Sequence, residues 1–139
     1  MHTGLKLATQ MRWKAPNRLL FVIADAPCHG RAYHDESMKD NYPDGKPGFD
    51  NDPTVFIREL QRKKVQVVFL QIKKSTDKMV GILKAAYDAE PVSQGSLQRK
   101  LLYVPIDQKI AIDPQQLADV ISRTVTDTVV ASVRETLGV

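Results

Sequence analysis

The chain has 139 residues, of which 42% are hydrophobic and 26% charged, with a formal net charge of +4. That mix is expected of one ordinary globular domain large enough to hold a core without disulfide or metal staples, and too small for two full domains. No run approaches the ~20 apolar residues of a membrane span, and the N-terminal MHTGLKLATQ lacks the apolar core of a signal peptide; with Cys28 alone there is no intramolecular disulfide framework and no cysteine-based zinc site, so a cytoplasmic protein is expected.

In chain order, a first helix is predicted around Leu5 to Trp13, ending before Pro16. The apolar run Leu19–Ala24 then reads as a strand buried on both faces, as do Val65–Ile72 and Leu101–Ile106; such continuous runs suit a parallel sheet covered by helices on both sides. A long irregular segment, residues 25–52, follows the first strand. Asp52-Pro53 supplies an N-cap and a proline at the first helical position, and Val55, Phe56 and Leu60 give an apolar stripe closed by Arg62-Lys63-Lys64. The next helix starts at Ser75 or Thr76, with Met79, Ile82, Leu83 and Ala86 on one face. A last helix opens at Asp113-Pro114, where Gln116 completes a capping-box-like exchange, and carries Leu117, Ile121, Val125, Val129 and Val133 at steps of four until Gly138. It is expected to pack along the sheet. The order α-β-α-β-α-β-α predicts one domain over residues 1–139, an α/β, Rossmann-like three-layer fold with a mostly parallel sheet. Three strands make a thin sheet, so a partial domain or a sheet completed by a second copy is expected.

Charge is unevenly spread. Residues 25–52 hold seven acids (Asp25, Asp35, Glu36, Asp40, Asp44, Asp50, Asp52) against three bases (Arg31, Lys39, Lys46), so the acidic stretch is a candidate for cations or basic partners. The basic runs Arg62-Lys63-Lys64 and Lys73-Lys74 sit at the ends of predicted elements, where solvated helix ends explain them without nucleic acid.

In open α/β sheets the ligand site lies beyond the carboxyl ends of the strands, where Asp25 begins the long segment. A carboxylate there is placed either to hold a hard cation such as Mg²⁺ or to cap a nearby loop. Cys28, His29 and His34 bring a thiol and two imidazoles close in sequence, which reads as a nucleophile with its base, as a metal site, or as a packed thiol beside histidines that brace the loop. Ser75-Thr76-Asp77 sits where a strand ends and a helix begins, lining the same cleft or capping the helix. Pro43-Asp44-Gly45 and Pro47-Gly48 are turn signals. The seven glycines form neither G-x-G-x-x-G nor G-x-x-x-x-G-K-[ST], which disfavours nucleotide binding by those routes.

Leu19 to Gly30 (LLFVIADAPCHG), then Tyr33-His34, Asp40-Asn41-Tyr42-Pro43-Asp44-Gly45 and Ser75-Thr76-Asp77-Lys78-Met79 resemble the von Willebrand factor A-type domain found beside alpha-type protein kinases. That group includes elongation factor 2 kinase and myosin heavy chain kinase relatives. The resemblance implies a Rossmann-like sheet with a metal-ion-dependent adhesion site, in which Asp25 stands at the position of the late Asp that contacts the ion through water. The family's Asp-x-Ser-x-Ser ligands and its kinase catalytic domain have no counterpart here, so only the C-terminal half of such a domain is expected. No phosphorylating activity and at most weak Mg²⁺ binding follow.

The expectation is therefore a non-catalytic interaction module binding a protein partner at the Asp25 face. Cys28, His29, Tyr33, His34, Asp44, Ser75, Thr76 and Asp77 are its candidate partner-binding or loop-bracing residues. The alternative is a small hydrolase-type α/β enzyme using Cys28 with His29 or His34; a homo-oligomer that completes the sheet is a further expectation, and neither nucleic acid nor membrane is expected.

Overall fold

The computed structural model describes residues 1–45, 47–48 and 52–139; Lys46, Phe49, Asp50 and Asn51, and the side chains of Glu135 and Thr136, lie outside this description, and with them part of the acidic stretch. The elements are α1 (His2–Gln10), β1 (Leu19–Ala24), α2 (Pro53–Arg62), β2 (Gln66–Gln71), a 3-10 turn (Lys74–Thr76), α3 (Asp77–Ala89), β3 (Leu102–Pro105), α4 (Gln108–Ile112) and α5 (Pro114–Leu137). All three strands run parallel in the order β1-β2-β3, with Leu19 opposite Gln66 and Val68 opposite Leu102.

Because side chains alternate across a strand, β2 feeds two cores. Val67 and Phe69 pack with Leu20, Val22 and Ala24 of β1 against α1, α2 and α3. Val68 and Leu70 pack with Phe21, Val104 and Ile106 against Ala111 of α4 and Leu117, Val120 and Ile121 of α5. The result is the Rossmann-like αβα sandwich expected from the order of elements. Two polar side chains are built into its base. Tyr87, fully buried, donates from its hydroxyl to Val65 O at 2.7 Å, and buried Gln61 donates from Nε2 to Tyr87 O and Arg99 O at 3.2 and 2.7 Å.

Several local expectations need correction. The first helix stops at Gln10, because the indole Nε1 of Trp13 turns back to donate to Ala8 O at 2.9 Å and occupies a terminal carbonyl of the helix. Only β2 is buried on both faces. As edge strands, β1 and β3 leave Ile23, Leu102 and Tyr103 exposed. In α2 the buried stripe is Phe56, Ile57 and Leu60, while Val55 faces solvent. A short helix, α4, capped by Asp107 accepting from Lys109 N at 2.8 Å, precedes α5. Asp113 caps α5 as expected, accepting from Gln115 N, Gln116 N and the Gln116 side chain. Along α5, Leu117 and Ile121 pack into the second core, Val125 and Val129 are half-buried, and Val133 and Leu137 at its end are exposed. The reason is length: 24 helical residues reach ~36 Å, whereas a six-residue strand spans ~20 Å, so the helix outruns the sheet.

Candidate functional site

Segment 25–45 leaves the carboxyl end of β1 and lies beside the start of α3. Its organising group is the Asp40 carboxylate, whose side chain is 5% exposed. Asp40 Oδ1 accepts from His29 Nδ1 at 2.6 Å and Tyr42 N at 2.8 Å; Oδ2 accepts from Gly30 N at 2.8 Å and His34 Nε2 at 3.0 Å. These hydrogen bonds to the charged form outweigh desolvation and hold the Asp40 carboxyl well below the usual carboxylate range. The other nitrogen of His34, Nδ1, faces Asp35 O at 3.0 Å. Both ring nitrogens thus meet acceptors, which fits the imidazolium, and the bonds to Asp35 O and Asp40 raise the pKa of His34.

The segment is fastened at three further points. Tyr33 is buried, and its hydroxyl donates to Asp52, the residue that also caps α2 by accepting from Thr54 N at 2.9 Å. Burial and that bond push the Tyr33 hydroxyl well above its ordinary value. Lys78 Nζ of α3 donates to His34 O at 3.1 Å, and Arg31 N donates to Pro43 O at 2.8 Å. Gly30 has φ +113°, and a Cβ there would sit 3.1 Å from the Tyr33 ring, so only glycine fits this turn without strain.

Cys28 is buried, its N–H points at Met79 Sδ at 3.1 Å, and desolvation pushes its thiol up to about 12. A thiol nucleophile must be available as thiolate, and this one is protonated at neutral pH. His29 and His34 bond Asp40, not Cys28, and His29 also stands edge-on to Tyr42 with ring centroids 5.0 Å apart. The nucleophile-and-base reading of Cys28 with His29 or His34 is corrected on this geometry.

Asp25 is 63% exposed, its carboxylate 3.7 Å from Lys73 Nζ and its carbonyl 3.4 Å from Ser75 Oγ. An exposed pair of this kind contributes little to stability. Thr76 is buried and Asp77 exposed, and both accept from one side chain: Gln71 Nε2 donates to Thr76 Oγ1 at 2.8 Å and Asp77 Oδ1 at 2.6 Å, and Tyr103 donates to Gln71 Oε1. Beside them, at the carboxyl ends of β2 and β3, lies a cavity of about 440 Å³ lined by Gln71, Lys74, Asp77, Tyr103 and Asp107 among others. The residues around Asp25 do not fit a tight Mg²⁺ site: among the described residues no group of three His, Cys, Asp or Glu side chains is placed to hold a metal ion, and the hydroxyls of Ser75 and Thr76 donate to the Asp25 and Lys73 carbonyls. Asp44, at the exposed tip, pairs with Arg31 Nη2 at 2.6 Å.

Asp40 and Gln71 organise the site but were not among the candidate site residues read from the sequence. Asp40 entered only as one acid of its stretch and as the first residue of the Asp40–Gly45 motif, and its bonding role is visible only in the fold. Gln71 had a signal, a polar residue near the carboxyl end of a central strand whose middle is wholly apolar.

Among the described residues no helix is long and apolar enough to cross a membrane. No protein-family model matches the chain, and no solved structure matches it. A stretch of 46 residues, 32% of this chain, is 52% identical to the alpha-protein kinase vwkA of Dictyostelium discoideum, and spans 7% of that protein's length. The chain is thus related in part to an alpha-protein kinase.

Proposed function

We propose that this chain is a non-catalytic protein-interaction module of a cytoplasmic alpha-kinase-like protein, carrying part of a von Willebrand factor A-type domain and binding a protein partner at the Asp25 face. The observation that supports this most is the Asp40 lock. It spends both histidines of the segment on holding shape, while Arg31, Asp44, Asp25, Lys73 and Ser75 stand outward on a fixed surface. A rigid loop with mixed charges at its rim suits recognition of a folded protein, since little ordering entropy is lost on binding. The partial identity to an alpha-protein kinase supports the setting. Mg²⁺ at this face would be held by one exposed carboxylate contested by Lys73, so weak, salt-sensitive association is expected.

Photo-crosslinking from single positions tests the reading. Benzoylphenylalanine at Ser75 or Asp44 should yield one shared adduct in cells of origin, lost in the Asp25→Lys background, while the same group at Ile112 of α4 should not. Equal adducts from all three positions, or none from Ser75 and Asp44, would overturn it.

A further inference from the structure

We propose that the outer edge of β1 is a self-recognition site, at which two copies of this chain pair antiparallel about a two-fold axis through Phe21. This stands apart from the Asp25 face and does not depend on it.

The backbone directions carry the argument. Gln66 N donates to Arg18 O at 2.8 Å and Ile72 N to Ala24 O at 3.2 Å, so the even-numbered residues of β1 face β2. The odd ones, Leu19, Phe21 and Ile23, therefore turn their N–H and C=O groups to the open edge. An antiparallel ladder needs outward-facing residues opposite one another, each pair exchanging two N–H···O bonds. Rotation about Phe21 supplies this: Phe21 opposes Phe21, and Leu19 of one copy opposes Ile23 of the other. The edge is complementary to itself.

Nothing guards it. β1 carries no charge, proline or bulge, the usual devices against edge pairing, and Ile23 is 47% exposed. The opposite edge is blunted by contrast: Leu101 N and O are taken by Asp88 and Lys84 of α3, and Pro105 has no N–H to give. Head-to-tail stacking of β1 on β3 is thereby disfavoured, leaving the closed two-fold pair.

The space beside β1 points to the same occupant. A groove of about 430 Å³ runs along this edge between α1 and the segment Ala26–His29, and none of its lining side chains is Asp, Glu, Lys or Arg. An uncharged extended segment matches it, and β1 is one. Gly4, which lines the groove, shares a helical face with Leu7, which is more than half exposed, so apolar surface continues from the strand onto α1.

Sedimentation of the full 139-residue chain at rising concentration should carry the mass from 15.6 kDa to twice that value. Ile23→Lys places two ammonium groups in each paired ladder and should raise the dissociation constant about a hundredfold, taking each as about tenfold, with the circular dichroism spectrum unchanged. Leu137→Lys, on the exposed end of α5, should leave the dimer intact. In the same samples, amide exchange at Leu19, Phe21 and Ile23 should slow with concentration while Leu20 and Val22 stay constant. A monomer at every concentration, a dimer undiminished by Ile23→Lys, or a dimer whose odd-numbered β1 amides exchange as in the monomer would each overturn the proposal. Were a foreign strand the occupant, the first of these results would be seen.

Discussion

Asp40 shows how one carboxylate can set the shape of a long loop. It receives two backbone N–H groups and two imidazoles, and the signs of the two shifts define a pH window. The folded-state pKa of Asp40 is lowered, so its contribution is present above the ordinary carboxylate value and lost as pH falls through the folded one. That of His34 is raised, so its contribution is complete below ~6.5 and lost as pH climbs through the higher folded value. Proteolysis within residues 28–44 should therefore be slowest between about pH 4 and 6.5 and quicken above it; a rate that is flat across pH 5 to 8 would contradict the imidazolium assignment. Asp40→Ala should weaken this pH dependence, leaving the part that the Asp35 O bond gives His34, and speed cleavage throughout. Cys28 gives a separate check. Its thiol should resist Ellman's reagent at neutral pH in the folded protein and react at once in denaturant, because burial holds it protonated.

At the scale of elements, the sequence was informative wherever local chemistry decides. Asp52-Pro53 and Asp113-Pro114 announce helix starts through their caps, and both carboxylates accept the amides two residues on. Asp52→Ala should lower stability by about 1–2 kcal/mol in urea titration, since the N-cap and the Tyr33 bond go together; a change below a few tenths would show that the Tyr33–Asp52 link is dispensable. What local chemistry could not reveal was exposure. Leu19–Ala24 and Leu101–Ile106 have the composition of strands buried on both faces, but burial depends on having neighbours, and each has a neighbour on one side only. The site was half legible for a similar reason. Cys28, His29 and His34 mark the segment as chemically rich, yet which group pairs with which depends on a turn at Gly30 and on Asp40 returning ten residues later.

For the whole molecule, one central strand joins two cores, and the segment at its carboxyl side is fastened to both neighbouring helices, through Asp52 at the start of α2 and Lys78 in α3. Stability should follow from this layout. Leu60→Ala and Leu83→Ala, both at fully buried positions under the sheet, should each remove about 2–5 kcal/mol, whereas Val133→Ala, on the overhanging end of α5, should stay within about 0.5 kcal/mol. The central claim is that residues 25–45 form a fixed recognition surface and neither a mobile tail nor a reactive loop. Residue-resolved amide exchange near pH 6 tests it most directly. The Gly30 and Tyr42 amides, each donating to Asp40, should be well protected in the native chain and exposed in Asp40→Ala, with Val67 to Leu70 protected in both. Free exchange at Gly30 and Tyr42 in the native chain, beside an intact β2, would contradict the account.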